Sequence, residues 1–262
     1  MLSDRVMISQ TIDGLPLLQF EILRPFDELA CAISMRQGPG GADFNLGPVR
    51  GPQRGERSAN WRRLADTLGL RHVWPQLQVH GGAIHYVTHR CDDILAVPEA
   101  DASFTGLSGL GLLAFSADCP LVALYEPGRG VGVVHASWRS TVTRIVQRTV
   151  EAMTAQLGCA PGAMWSAIGP SAGPCCYEVG PEVFDAAAEL PNRDACFTEV
   201  DGRRHFDLWQ AAEGQLRAAG LRPSHIQTAG VCTLCQTGRF FSYRQEGRGV
   251  GQFGLMVGRR DR

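Results

Sequence analysis

Two short β-prone runs facing each other across a turn constrain this chain more than any other stretch. Pro120-Leu-Val-Ala-Leu-Tyr125 and Val131-Gly-Val-Val134 flank Glu126-Pro-Gly-Arg-Gly130, a hairpin pattern. With the turn centred on Pro127, Cys119 lies directly opposite His135. Opposed residues of an antiparallel pair share a face, with Cβ atoms ~4.5–5.5 Å apart. A thiol and an imidazole so placed can share a metal ion or form a nucleophile–base dyad. His80, in Gln78-Val-His-Gly-Gly82, is a third member of the set. One thiolate and two imidazoles supply three protein ligands for zinc and leave a fourth position open, as in catalytic zinc sites. Such a metal lowers the pKa of bound water to about 7. The plainer reading is a buried cysteine beside a histidine that hydrogen-bonds a backbone carbonyl.

Around the hairpin, 262 residues suffice for one large domain or two small ones with a sizeable core. A net charge of -1 gives no bulk attraction to nucleic acid or to a membrane. All 25 basic residues are arginine, so Schiff-base chemistry, a Walker lysine and a lysine general base are excluded. Neither a signal peptide nor a transmembrane run is evident, so a cytoplasmic chain with reduced thiols is expected. Of the nine cysteines, Cys31, Cys91, Cys159 and Cys196 are isolated and read as buried apolar filler.

Helix signals are clear in four places. Ser58 reads as the N-cap of a helix through Trp61, Leu64, Ala65 and Leu68 that stops at Gly69. Ser140 reads as the cap of a long helix with Val142, Ile145, Val146, Thr149, Val150, Met153 and Leu157 on one face, ended by Gly158. Pro181 opens a short helix to about Leu190, and Asp207 caps another with Leu208, Ala212, Leu216 and Ala219 inward. Strand-like segments are Val73 to Val87, Ile94–Val97, Gly111–Phe115, Phe240–Tyr243 and Phe253–Val257. Strands and helices alternate irregularly with hairpins among them, which predicts an α+β (mixed α/β) domain with mixed sheets.

Further residues carry possible chemistry. Asp118 would bind His135, act as an acid/base group or simply sit in a strand-edge turn. Arg139, at the entry to the long helix, and Arg244 are candidate anion holders, with solvated surface charge as the bland alternative. Cys232-Thr-Leu-Cys235 lacks the second pair that a structural zinc site needs; the vicinal Cys175-Cys176 could complete it but reads more simply as packed loop.

Taken in order, Gln78-Val-His-Gly81, Ala117-Asp-Cys119, Val133-Val-His-Ala-Ser-Trp-Arg139, Ile168-Gly-Pro-Ser-Ala-Gly-Pro-Cys-Cys-Tyr-Glu-Val-Gly180, Cys232-Thr-Leu-Cys235 and Phe240-Phe-Ser-Tyr-Arg244 resemble the YfiH family, the laccase-domain or polyphenol-oxidase-like proteins also called peptidoglycan editing factors. Phe44-Asn-Leu-Gly47 and Asn60-Trp-Arg-Arg-Leu64 fit its N-terminal part. The resemblance runs from about residue 30 to the end. It implies one layered α/β/β/α domain over residues 1–262, with residues 1–30 as an N-terminal strand extension. It implies a zinc-type site (copper as the alternative) at His80, Cys119 and His135, with Asp118 in the catalytic set and Asn45, Arg139 and Arg244 binding substrate. The implied reaction is phosphorolysis of adenosine, inosine or methylthioadenosine, with adenosine deamination as a companion and copper-dependent phenol oxidation as an older assignment. The implied partners are a purine nucleoside and phosphate, in a monomer or small homo-oligomer. The chain departs from the family at Ser137 and Ser140, where glycines are usual, and at Ala212, Gln245 and Gln252. Two added Cβ atoms would narrow the backbone's approach to a ligand.

Three other readings remain at this level. His₂Cys is also a blue-copper ligand set, although seven scattered histidines are few for a multicopper oxidase. A metal-independent Cys119–His135 hydrolase would suit the editing of peptidoglycan precursors. A nucleoside-binding sensor would need no turnover.

Overall fold

The computed structural model describes residues 7–47, 54–90 and 97–261. In chain order the strands are β1 (Met7–Ile12), β2 (Leu15–Phe20), β3 (Leu29–Ser34), β4 (His72–Pro75), β5 (Ile84–Tyr86), β6 (Ala102–Thr105), β7 (Leu110–Ser116), β8 (Leu121–Glu126), β9 (Gly130–His135), β10 (Trp165–Ile168), β11 (Phe197–Val200), β12 (Arg203–Phe206), β13 (Ile226–Thr228) and β14 (Phe253–Arg259). The helices are α1 (Arg54–Thr67), α2 (Trp138–Val142), α3 (Ile145–Leu157), α4 (Pro181–Ala186), α5 (Leu208–Ala218) and α6 (Tyr243–Glu246).

Two six-stranded mixed sheets form, in the orders β1-β2-β3-β14-β7-β4 and β13-β10-β8-β9-β6-β5, with β11-β12 as a separate hairpin. Side chains alternate across each strand, and the alternation builds the layers. In β8, Leu121, Ala123 and Tyr125 enter the core shared with β3, β7 and β14, while Val122 and Leu124 face α3 and α5. In β3, Cys31 and Ile33 enter that shared core, while Ala30 and Ala32 face α1. The central strands are therefore buried on both faces and read as unbroken apolar runs. The expected α+β, layered α/β/β/α arrangement with mixed sheets is the one observed.

The hairpin forms with a different register. Leu121 pairs with His135 and Glu126 with Gly130, so the turn centres on Gly128. Gly128 has φ 71°, and Arg129 N–H donates to the Glu126 carbonyl at 3.1 Å. Proline followed by a positive-φ glycine is the type II turn pattern, and it places the turn centre one residue beyond Pro127. The residue that faces His135 is thus Leu121, and Cys119 lies two residues before it rather than directly opposite. A two-residue shift preserves the face, so the pair still converges.

Several expected boundaries move. Ser58 lies inside α1, its hydroxyl donating back to the Gly55 carbonyl at 2.9 Å. The long helix is two helices. Ser137, not Ser140, caps α2, its Oγ accepting the Ser140 N–H at 3.2 Å. Arg144 then adopts φ 59° and α3 begins anew. Gln215 of α5 holds this break: its amide donates to the Thr141 carbonyl at 2.9 Å and its Oε1 accepts the Val146 N–H at 3.1 Å. The helix opened by Pro181 becomes 3₁₀ after Ala186. Asp207 caps α5 as expected, accepting the Trp209 and Gln210 N–H groups at 3.0 Å. Phe240–Tyr243 is no strand: Phe240 and Phe241 are buried in a turn, and Ser242 caps α6. The Ile94–Val97 segment and Cys91 fall, but for Val97, outside the described residues. Cys31, Cys159 and Cys196 are buried.

Candidate active site

His135 ends β9 and is 2 % exposed. Its Nδ1 lies 2.8 Å from Asp101 Oδ1. Asp101 precedes β6, the neighbour of β9, and its carbonyl also accepts the His135 backbone N–H at 2.7 Å. With Nδ1–H donated to a fully buried carboxylate, Nε2 keeps its lone pair, the tautomer that a metal ligand needs. The same carboxylate receives the N–H groups of His80 at 3.0 Å, Gly81 at 2.8 Å and Val79 at 3.3 Å. His80 sits at φ 56°, a conformation that costs a non-glycine residue energy, and these bonds hold it there. Asp101 therefore places both histidines.

Cys119 follows Asp118, whose φ of 114° turns the chain out of line with β8. The ligand atoms of His80, Cys119 and His135 all lie within 4.8 Å of one another. The two imidazole rings stand nearly perpendicular, 5.0 Å between centroids. Burial alone would raise the Cys119 thiol, but His135 and His80 pull it down to about 7. Burial likewise disfavours the His135 imidazolium, yet Cys119 and Asp101 raise it to about 9. These opposed shifts favour a thiolate–imidazolium pair when no cation is bound, and a cation held here would take the place of the shared proton. A soft thiolate, two imidazoles and a carboxylate-backed tautomer fit zinc, and the same donors fit copper.

The triad lies in a cavity of about 1010 Å³. Its remaining lining is mixed: aromatic (Phe115, Trp138, Tyr177, Tyr243), cationic (Arg57, Arg139, Arg244) and amide (Asn45, Gln76, Gln78, Gln252). Every residue expected in the site is thus brought together, though not always in the expected role. Asp118 does not reach His135; Asp101 holds that place. Asp118 instead accepts the Thr233 hydroxyl at 2.6 Å and the Arg244 N–H at 2.7 Å. Burial, only partly offset by these bonds, raises its carboxyl above the ordinary range. Arg139 is exposed over the Trp138 ring at 4.4 Å. Arg244 lies over Tyr177 at 5.2 Å and donates to the Glu178 carbonyl at 3.0 Å. Asn45 Oδ1 accepts the N–H groups of Gly47 and Gln252 at 3.1 and 3.0 Å, which leaves its amide nitrogen as the side-chain donor.

Two departures noted in the sequence separate here. Ser137 lines the cavity. Ser140 does not: it is fully buried and its hydroxyl donates to the His135 carbonyl at 3.1 Å. Its added Cβ narrows nothing. Asp101, Arg57 and Tyr177 were missed by the sequence reading. Asp101 is 34 residues before His135 and only the β6–β9 pairing joins them.

A family model described as multi-copper polyphenol oxidoreductase laccase matches residues 31–260. The chain belongs to this family. Within it, a purine nucleoside phosphorylase of Xylella fastidiosa is 36% identical over 241 residues, 86% of this chain and 90% of the relative. The crystal structure of YlmD from Geobacillus stearothermophilus matches with a TM-score of 0.84 at 32% identity, covering 97% of this chain and 100% of that one. The structure of YfiH from Bacillus licheniformis matches with a TM-score of 0.84 at 27% identity, covering 95% and 98%. The resemblance read from the motifs is therefore correct, and YfiH-family relatives carry the phosphorylase name. Among the described residues, one other cluster has at least three metal-ligating side chains: Cys175, Cys176, Cys232 and Cys235. The vicinal Cys175 and Cys176 thus lie beside Cys232 and Cys235, as completing the C-x-x-C would require. Among the described residues, no helix is long and apolar enough to cross a membrane.

Proposed function

We propose that this chain is a zinc-dependent purine nucleoside phosphorylase acting at His80, Cys119 and His135. The observation that carries the reading is the convergence of these three ligands in one cavity with Arg139, Arg244 and Tyr177. A bound zinc would supply Lewis-acid chemistry at the open coordination position. Aromatic walls at Trp138, Tyr177 and Tyr243 suit the faces of a purine. Arg139 and Arg244 present donors matched to a phosphate dianion and hold it against the ribose anomeric carbon. A phosphate oxygen then bonds to that carbon as the bond to the purine nitrogen breaks, and the base leaves with the electron pair. Asp118, with its raised carboxyl pKa, is the acid suited to give the departing purine its proton. Asn45 contributes an amide donor to the substrate.

The substrates that fit are adenosine, inosine or methylthioadenosine. Water attacking the amine-bearing carbon of the purine, rather than phosphate attacking the ribose carbon, would expel ammonia and give adenosine deamination in the same cavity. The test is chromatographic product analysis of zinc-loaded protein with adenosine, with and without phosphate, beside Cys119→Ala. Phosphate-dependent adenine, absent in the variant, is the expected result. Inosine formed regardless of phosphate would make the enzyme a deaminase. Oxidation of phenols by the copper-loaded protein, with no nucleoside turnover by either metal form, would replace the reading with the oxidase one.

A further inference from the structure

The four clustered cysteines belong to two chain segments about sixty positions apart, and no part of the proposed reaction uses them. All four sulfurs lie within 4.8 Å of one another. Cys235 Sγ is 3.4 Å from Cys176 Sγ and 3.8 Å from Cys175 Sγ. Zinc–sulfur bonds of about 2.3 Å in a tetrahedron give sulfur–sulfur edges of about 3.8 Å. The observed cluster is therefore at the dimension of a tetrathiolate cage before any ion is added.

Local backbone explains how vicinal residues can both serve. In a strand, Cys175 and Cys176 would point to opposite faces. Here the chain turns, with the Cys176 and Tyr177 N–H groups both donating to the Gly173 carbonyl at 2.9 Å, and both thiols reach Cys235. The partner pair has the C-x-x-C spacing of zinc loops. Four thiolates around a divalent cation leave excess negative charge, which backbone N–H groups commonly offset. Gly173 donates its N–H to Cys232 Sγ at 3.4 Å, and the Cys235 N–H reaches the same sulfur. Cys232 is buried while Cys175 and Cys235 are exposed, so an ion has an entry path from solvent.

From these contacts we infer that Cys175, Cys176, Cys232 and Cys235 form a second, structural metal site that takes zinc as a closed tetrathiolate. Each thiol loses its proton on binding, and no coordination position stays open, so the ion does no chemistry. Its effect is to lock two loops. Ser171 pairs with Cys232 across a parallel bridge, the Ala172 N–H donates to the Asp118 carbonyl at 2.7 Å, and Thr233 donates to the Asp118 carboxylate at 2.6 Å. The ion thus braces the segment that precedes Cys119 from both sides.

The experiment uses full-length Cys119→Ala, which disables the first site and leaves the four thiols intact, beside the unsubstituted protein and Cys235→Ser. Zinc content is measured after gel filtration under reducing conditions, and cobalt(II) is titrated into chelator-stripped protein. About two zinc ions per chain are expected in the unsubstituted protein and about one in each variant. Cobalt in Cys119→Ala should give the intense visible bands and sulfur-to-metal charge transfer of a tetrathiolate centre, and Cys235→Ser should lose them. Zinc should also protect Cys175 and Cys235 from iodoacetamide in Cys119→Ala. The inference is overturned if Cys119→Ala binds no stoichiometric zinc, or if its four thiols alkylate at equal rates with and without zinc. Recovery of a disulfide among the four from zinc-replete protein would also overturn it and make the cluster a redox pair. None of these readouts depends on nucleoside turnover.

Discussion

Replacing Asp101 by Asn tests whether the buried carboxylate sets the metal site. The carboxylate accepts four hydrogen bonds, one from His135 Nδ1 and three from the N–H groups of residues 79–81. Asn supplies one acceptor oxygen and one donor nitrogen in nearly the same volume. If its oxygen stays toward His135, its NH₂ abuts the Gly81 and Val79 N–H groups, and two partly buried donors lose their acceptor. Each such loss would cost about 1–3 kcal/mol at full burial and costs less here, where solvent reaches the donors. In the other orientation, NH₂ faces His135 Nδ1, the imidazole changes tautomer, and Nε2 carries a proton where a metal ligand needs a lone pair. Both outcomes weaken the site. Loss of a partner behind a ligating histidine typically costs 10–100-fold in metal affinity, about 1.4–2.7 kcal/mol. The assay is zinc competition against a chromophoric chelator, with circular dichroism as the check on folding. Affinity within about twofold of the unsubstituted protein would refute the argument and leave Asp101 as a brace for the His80 loop alone.

Four further outcomes are expected. His80→Ala and chelator treatment should each abolish turnover, and zinc should restore only the chelated protein, measured by chromatography of the freed base. Arg244→Ala should raise the phosphate KM by about tenfold, or about 1.4 kcal/mol, with a smaller effect on the nucleoside KM. In chelator-stripped protein, Cys119 alkylation read by peptide mass should be half-maximal near pH 7 rather than near the ordinary thiol value of 9.0, because the adjacent imidazoles favour the thiolate; protonation below that pH should suppress it. Ser137→Gly, which removes a Cβ from the cavity wall, should cost a few tenths of a kcal/mol in thermal unfolding, since glycine is a tolerable N-cap, and should lower the nucleoside KM.

The sheet core was legible because β7, β8, β9 and β14 are continuous apolar runs bounded by turn residues, the pattern of doubly covered strands. Cys119 and His135 were legible as a candidate pair because a hairpin carries its own pairing rule, whereas His80 lies outside the hairpin and was legible only as a nearby histidine in Gln78-Val-His-Gly-Gly82. Asp101 was not. A single aspartate before a short strand has no local signature, and its partner is fixed only when β6 pairs with β9. The thiol cluster was half legible: Cys232 and Cys235 show their spacing, but the turn that points Cys175 and Cys176 to one side is a backbone event. Helix ends failed where side chains from elsewhere intervene. The apolar stripe from Val142 to Leu157 continues through the Arg144 break because Gln215 satisfies both exposed ends there. A one-dimensional pattern has no means of registering that insertion.

Backbone strain connects the two halves of the site. Among the described residues, five non-glycine positions have positive φ: Asp13, His80, Asp118, Arg144 and Asp201. Two of these are a candidate metal ligand, His80, and the residue before another, Cys119. Such conformations cost of order 1–3 kcal/mol each and persist where surrounding contacts over-determine them. At His80 the contacts come from one side chain, Asp101. At Asp118 they come from two loops, through Thr233 and the Ala172 N–H, and from α6, through the Arg244 N–H. The two loops also carry the four cysteines. Losing an ion from the thiol cluster would therefore relax Asp118 before it disturbed His80. In the stripped Cys235→Ser protein, hydrogen exchange should quicken at Ala172 and Arg244 while the Asp101-bound amides of residues 79–81 stay protected. Equal loss of protection at both places would mean that the site opens as one unit and that the thiol cluster has no private hold on Asp118.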